Sequence, residues 1–281
     1  MALYPHLTEG VIDVDGVMVP YYDSGVGHDE PPVVLLHGSG GPAERNFWAL
    51  FPMLAFTRRV ITFDFVLPPE EVELTLEHYV AQALAVIEDR APGRPVALVG
   101  YSLGAVVAEA LAARHPETVA ALVLIAGWMK TDRHQLLRNG IWKELHDAGS
   151  PALPDFVLYA SYSAAYLTSR TEYDYAEIVA KVRAASMSPR VMELNRSIDI
   201  EAEVMTISAP TLVIGCIHDQ MVNIRHSREI FGAIPDARYA EVQAGHAVVN
   251  ERPAELFVLI DTFVAEPHAH PAGGILAKTD A

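Results

Sequence analysis

The 281-residue chain carries 36 acidic against 20 basic side chains, a formal charge of −16 that disfavours binding to nucleic acid or to an anionic membrane surface. With 51% hydrophobic and 20% charged residues, its composition is that of a globular protein rather than a disordered, collagen-like or repeat chain. Its one cysteine, Cys216, leaves no intramolecular disulfide and no cysteine partner for a zinc site, and reads as a buried strand residue.

The first residues, MALYPHLTEGVIDVDG, lack the basic and long apolar regions of a secretory signal, so the cytoplasm is the expected compartment. VIDVDGVMVPYY reads as two strands joined at Asp15-Gly16, a dipeptide suited to the positive φ angles of a tight hairpin. PVVLLHG and RVITFDFV are continuous apolar runs, as expected of strands covered on both faces. The spacing over Leu74 to Asp89 predicts a helix with Val80, Leu84 and Ile87 on its apolar side. RPVALVGYS is again a strand, Leu103 to His115 a helix stopped by Pro116, and VAALVLIAG another strand. This alternation predicts an α/β fold built on a parallel sheet with helices on both faces. No apolar run approaches the roughly 20 residues that span a bilayer.

Beyond Trp128 the strand rhythm stops, and helix-like stretches with Tyr159, Tyr162, Tyr166, Tyr173 and Tyr175 continue to about Met205. APTLVIGCIHD then resumes the buried-strand pattern, followed by the strand ARYAEVQAG and the amphipathic helix ERPAELFVLIDTFVAE. The expected organisation is a core of residues 1–127 and 206–266, a helical cap over 128–205, and a flexible tail over 267–281. His268 and His270 in that tail read as solvated rather than as metal ligands, and no metal is expected.

Within this frame, GYSLG at 100–104 follows a strand and opens a helix. Glycines two residues either side of Ser102 remove bulk where strand and helix crowd together, so a strained turn can present the serine hydroxyl beside the amides that start the helix. A serine nucleophile needs a base, and His246 lies in a glycine-flanked loop between the last strand and last helix. The base needs an acid to fix its tautomer, and Asp219 ends the preceding buried strand, with Asp236 and Asp199 as weaker alternatives. Asp219 lies 117 residues after Ser102, room enough for the cap, and His246 lies 27 after Asp219, about one helix and one strand. His115, His218 and His226 fit the role less well, and Asp64 reads as a brace for a loop. In LLHGSGG, the backbone amide of Ser39, together with that of Leu103, is the expected oxyanion hole. Gly38, Gly40, Tyr101 and Trp128 are the expected substrate contacts, while Phe47 and Trp48 fit either a pocket mouth or the core.

The four segments HGSG at 37–40, GYSLG at 100–104, APTLVIG with Asp219, and GH with ERP at 245–253, in this order, resemble the α/β-hydrolase fold, in its serine-nucleophile branch with a helical cap. The resemblance covers roughly residues 8–266 and implies an eight-stranded, mostly parallel sheet and no required cofactor. LLHGSGG is also similar to the carbon–carbon bond hydrolases of ring-cleavage products, but those usually have Asn before the nucleophile and Trp after the histidine, where this chain has Tyr101 and Ala247. Ser102 separates it from relatives with an aspartate nucleophile, and FDFVLPPEEVELT replaces a glycine-rich loop common in the family. The expected activity is hydrolysis of an ester, lactone or thioester of a small to medium apolar or aromatic molecule through an acyl-enzyme. The expected partner is that small-molecule substrate, with the chain acting alone or as a homo-oligomer. An acyltransferase or lactone-forming cyclase, a carbon–carbon bond hydrolase and a ligand receptor are the alternatives.

Overall fold

The computed structural model describes residues 7–25, 30–185 and 187–276. The hairpin of β1 (Thr8–Val14) and β2 (Val17–Asp23) closes through Asp15 at φ 52° and Gly16 at φ 84°, with the Gly16 amide donating to Asp13 Oδ1 at 2.8 Å. β3 (Val33–Leu36) leads through α1 (Ala43–Phe47) and α2 (Leu50–Thr57) to β4 (Val60–Phe63). Next come α3 (Leu76–Arg90), β5 (Val96–Tyr101), α4 (Leu103–Arg114) and β6 (Val119–Ile125). The helices α5 (Arg133–Asp147), α6 (Leu153–Ser161), α7 (Ala164–Thr168), α8 (Glu172–Arg183), α9 (Pro189–Ser197) and α10 (Glu201–Val204) separate β6 from β7 (Thr211–Cys216). The chain then runs through α11 (Ile224–Ala233), β8 (Ala237–Val242), α12 (Val248–Glu251) and α13 (Pro253–Ala265).

The eight strands form one sheet in the order β1-β2-β4-β3-β5-β6-β7-β8. Among the described residues, only the strand pairs β1–β2 and β2–β4 are antiparallel. The apolar runs of the inner strands have two cores to fill, because alternate side chains point to opposite faces. Val34, Leu36, Leu98 and Leu122 join α3, α4 and Ile230 of α11 on one face. Val33, Leu35, Val99 and Val123 join α1, α2 and α13 on the other. Among the described residues, no helix is long and apolar enough to cross a membrane.

Of the six helices inserted after β6, α10 packs beneath α4, with Val204 fully buried and Arg114 paired to Glu203. The others cover the C-terminal ends of the strands and are tied down at several points. Asn195 of α9 donates from Nδ2 to Ser39 Oγ at 2.9 Å. The Ala247 amide donates to the carbonyl of Ser161 at 2.8 Å. Glu251 accepts from the Ser163 amide at 2.7 Å, the Ser163 hydroxyl at 2.5 Å and the Gly245 amide at 3.2 Å.

Of the stretch 267–281, expected as a flexible tail, residues 270–276 are joined to the edge of β8. The Arg238 guanidinium donates to the His270 carbonyl, Gly273 and Leu276 donate to the carbonyls of Ala237 and Tyr239, and the Tyr239 amide donates to Gly274. The free edge of β8 supplies these backbone partners, which need no side-chain periodicity in the tail. Residues 277–281 lie outside the described residues, as do residues 1–6 at the start.

Two buried carboxylates give the fold testable dependences. Burial alone raises the Asp23 carboxyl, but the Arg59 and Arg90 guanidiniums at 2.6 and 2.8 Å and the Gly25 amide hold it below its ordinary 3.8. Its stabilisation is therefore fully present above the ordinary value and lost as pH falls through the lowered folded-state value. Asp23→Asn should cost about 3 kcal/mol in urea denaturation at neutral pH, and the variant's stability should fall less steeply than the wild type's in acid. Glu251→Ala leaves three buried donors without their acceptor, and should cost about 3 kcal/mol by the same measurement.

Candidate active site

Every expected site residue sits at the C-terminal edge of the sheet, where the strands of an open α/β sheet deliver their ends. Ser102 joins β5 to α4 at φ 55° and ψ −121°, a left-handed backbone that few non-glycine residues adopt. Its neighbours show why glycine is required on both sides. A Cβ on Gly100 would lie 2.4 Å from the Gly104 carbonyl oxygen, and one on Gly104 would lie 2.1 Å from that of Leu36. Helix, β5 and β3 therefore meet at backbone contact, and the serine side chain is driven outward from the corner.

β7 ends in a turn carrying Asp219, and β8 ends in the loop carrying His246. Asp219 Oδ1 accepts from the amides of Met221 and Val222 at 2.7 and 2.8 Å, leaving Oδ2 to meet His246 Nδ1 at 2.7 Å. His246 Nε2 stands 2.9 Å from Ser102 Oγ. With a carboxylate at Nδ1, that nitrogen carries the proton and Nε2 faces the hydroxyl as an acceptor. All three side chains are buried, and the Asp219 carboxylate is fully screened from solvent. Of the weaker alternatives, Asp236 pairs with Arg238 and Asp199 with Lys130.

The loop after β3 is braced from beneath. The Phe65 amide donates to His37 Nε2 at 2.9 Å, so the ring is neutral and its Nδ1–H donates to the Gly38 carbonyl at 2.7 Å. Burial lowers the pKa of His37, which favours the same neutral form. Asp64 accepts from the Ala43 amide and the Tyr22 hydroxyl, the bracing role its sequence position suggests. The loop comes so close to the serine that a Cβ on Gly38 would lie 3.1 Å from Ser102 Cβ. Among the described residues, neither the Ser39 nor the Leu103 amide is engaged by a protein acceptor. The Leu103 amide is the first of α4 and has no carbonyl one turn back.

A cavity of about 440 Å³ opens above the serine, lined by Gly38, Ser39, Gly40, Tyr101, Trp128 and others, so all the expected contacts reach it. The two aromatic side chains among them have prior engagements: the Tyr101 hydroxyl donates to the His246 carbonyl at 2.8 Å, and the Trp128 indole donates to Thr131 Oγ1 at 2.9 Å. Burial pushes the Tyr101 phenol well above its ordinary value, keeping it a donor. The cap tyrosines contribute less than their number suggests. Tyr162 lines the cavity, but Tyr159, Tyr173 and Tyr175 are exposed, and Trp142 and Phe156 supply aromatic wall in their place. Phe47 is core, and Trp48 is an exposed residue bonded to Asn250.

Asn195 and Arg138 are among the lining residues that escape a reading of the sequence. Asn195, buried in α9, holds the Ser39 side chain, and Arg138 projects from α5. Both sit in polar helical stretches whose sequence does not distinguish a solvent-facing from a cavity-facing position. Among the described residues, no three His, Cys, Asp or Glu side chains gather as a metal site.

A family model described as the alpha/beta hydrolase family matches residues 33–258. Pyrrolizixenacetamide deacetylase of Xenorhabdus hominickii is 30% identical over 262 residues, which span 90% of this chain and 97% of that protein. Among solved structures, BpoC of Mycobacterium tuberculosis H37Rv superposes with a TM-score of 0.78 at 28% identity, covering 89% of this chain and 97% of the other. An enol-lactonase from Burkholderia xenovorans LB400 gives a TM-score of 0.77 at 23% identity, over 92% of this chain and 100% of the other. A match running from the first residue of β3 into α13 takes in Ser102, Asp219 and His246, and with it the chain belongs to the alpha/beta hydrolase family and is a hydrolase.

Proposed function

We propose that this hydrolase cleaves an ester, lactone or thioester of a small, largely apolar molecule, with Ser102 as nucleophile, His246 as general base and acid, and Asp219 as the group that orients His246. The observation that carries the reading is the unbroken chain of short contacts from Asp219 through His246 to Ser102 at the floor of the cavity.

In this reading His246 Nε2 takes the hydroxyl proton as Ser102 Oγ attacks the carbonyl carbon. The developing oxyanion is received by the amides of Ser39 and Leu103. The tetrahedral species collapses by expelling the leaving group, which takes the proton from His246. Water then enters, gives a proton to Nε2 and attacks the acyl carbon, and Ser102 leaves with that proton restored. An alcohol in place of water transfers the acyl group instead. The curated relative that is named as a deacetylase supports an acyl bond as the target. The apolar majority of the cavity wall, with Trp128, Trp142, Phe156 and Tyr162, supports an apolar or aromatic body for the substrate.

Treatment with a fluorophosphonate should add one label per chain, read by intact mass, and a series of p-nitrophenyl esters should be turned over. Ser102→Ala should remove the label and lower kcat/KM by about 10⁴-fold or more, and Asp219→Asn should lower it by about 10⁴-fold. Absence of label and turnover in folded wild-type protein defeats the reading, while exclusive ester formation in added alcohol replaces hydrolysis by acyl transfer. Asn195→Leu should lower kcat about tenfold or more while leaving KM nearly unchanged, because the loop that carries the Ser39 amide loses its tether.

A further inference from the structure

The chain has an excess of carboxylates, yet among the described residues not one Asp or Glu lines the cavity, while Arg45, Arg138 and Arg183 do. Arg183, at the C-terminal end of α8, is exposed, and Arg45, in the last turn of the short helix α1, is half-buried. Arg138 is different. It lies in the middle of α5, a helix fixed at its start by a reciprocal pair in which the Gln135 amide donates to Asp132 Oδ1 and the Asp132 amide donates to Gln135 Oε1.

Arginines that are structural in this protein are saturated. Arg58 is bonded to Asp261 and Glu30, Arg59 and Arg90 grip Asp23, Arg190 binds three carbonyls, and Arg238 binds Asp236 and the His270 carbonyl. Among the described residues, the Arg138 guanidinium makes no hydrogen bond or ion pair with protein; the residue is half-buried in the cavity wall, and its Nε is fully buried. Burial pushes this guanidinium down to about 10 against the pull of the Asp219 carboxylate, so it remains charged at neutral pH. Asp219 does not serve as its partner, since both carboxylate oxygens are committed to His246 and to two amides. A charge partly withdrawn from water without a counterion is costly, and a planar fork of N–H donors fits a carboxylate.

Resting on the hydrolase reading above, we propose that the substrate carries a carboxylate besides its scissile acyl bond, and that Arg138 is the specificity-determining residue that receives it. Arg45 and Arg183 place positive charge along the same cavity and favour the approach of an anion to an otherwise acidic protein. The guanidinium then receives the counterion that the free protein lacks, and the apolar wall takes the body of the molecule.

The test compares matched esters: p-nitrophenyl hexanoate against mono-p-nitrophenyl adipate, which places the carboxylate on the acyl side, and phenyl hexanoate against 3-carboxyphenyl hexanoate, which places it on the leaving group. Wild type, Arg138→Met and Arg138→Lys are measured, with thermal denaturation to establish that each is folded. The ratio of kcat/KM within a pair cancels intrinsic reactivity between variants. For at least one pair, Arg138→Met should lower the ratio in favour of the charged ester by at least tenfold, with the neutral ester little changed and Arg138→Lys recovering part of the loss. A ratio that stays within twofold in both pairs overturns the proposal, as does an equal loss on charged and neutral esters. If folded wild type turns over none of the esters, the hydrolase reading has failed separately. The carboxylate proposal is then decided by titrating adipate against the fluorescence of Trp128 and Trp142 in the cavity wall. Affinity lost at least tenfold in Arg138→Met supports it, and affinity unchanged overturns it.

Discussion

The site depends on one close approach, that of the first turn of α4 to the ends of β3 and β5. Backbone oxygens of Leu36 and Gly104 occupy the space that side chains at 104 and 100 would need. That crowding leaves Ser102 no relaxed conformation, and its positive φ follows from the position rather than from any contact its hydroxyl makes. The strain is tolerated because α4 is enclosed almost along its length, with Leu103 to Ala112 all buried between the sheet, α3 and α10. A helix so thoroughly packed cannot rotate to relieve the corner. It also carries Glu109, buried without a hydrogen-bond partner among the described residues and pushed by desolvation well above the ordinary carboxylate range, hence held neutral.

Rigid strands bring Ser102, Asp219 and His246 to one edge, but the last adjustments come from the helices above. Asn195 reaches down to the loop after β3, Ser161 accepts from the residue after His246, and Ser163 shares Glu251 with the residue before it. Gly245 has no room for a side chain here, since a Cβ would meet the Ser161 oxygen and the Ser163 nitrogen at 2.6 Å each. The histidine loop is thus held between the sheet and the helical layer. The cavity wall and the Asp219–His246–Ser102 geometry are consequently parts of one structure, and a change in the layer that alters the cavity also acts on the position of His246.

Much of this was legible from residue order. Inner strands announce themselves as apolar runs because both faces are covered, and Ser102 is marked by the two glycines its corner demands. Asp219 and His246 are recognisable because each follows a strand that the sheet delivers to the same edge. Side-chain direction within the inserted helices was not legible: Arg138 and Asn195 occur among polar neighbours, where a residue facing a cavity resembles one facing water. The cap tyrosines misdirect for the same reason, since their count says nothing of which face they occupy, and most of them point outward. The docking of the tail was hidden for a different reason, because it is made through backbone groups that carry no compositional signature.

That docking has a consequence for the molecule's dealings with its own copies. A sheet whose last strand is bare offers a row of amides and carbonyls to any extended segment, and β8 stands at such an edge. The stretch around Gly273 to Leu276 consumes the outward groups of Ala237 and Tyr239, and Ile275 lies alongside Tyr239 as a parallel bridge. The chain therefore ends its own sheet. Strand-by-strand growth through β8 into a neighbouring molecule first requires peeling away a segment that is already tethered, and so always at high local concentration.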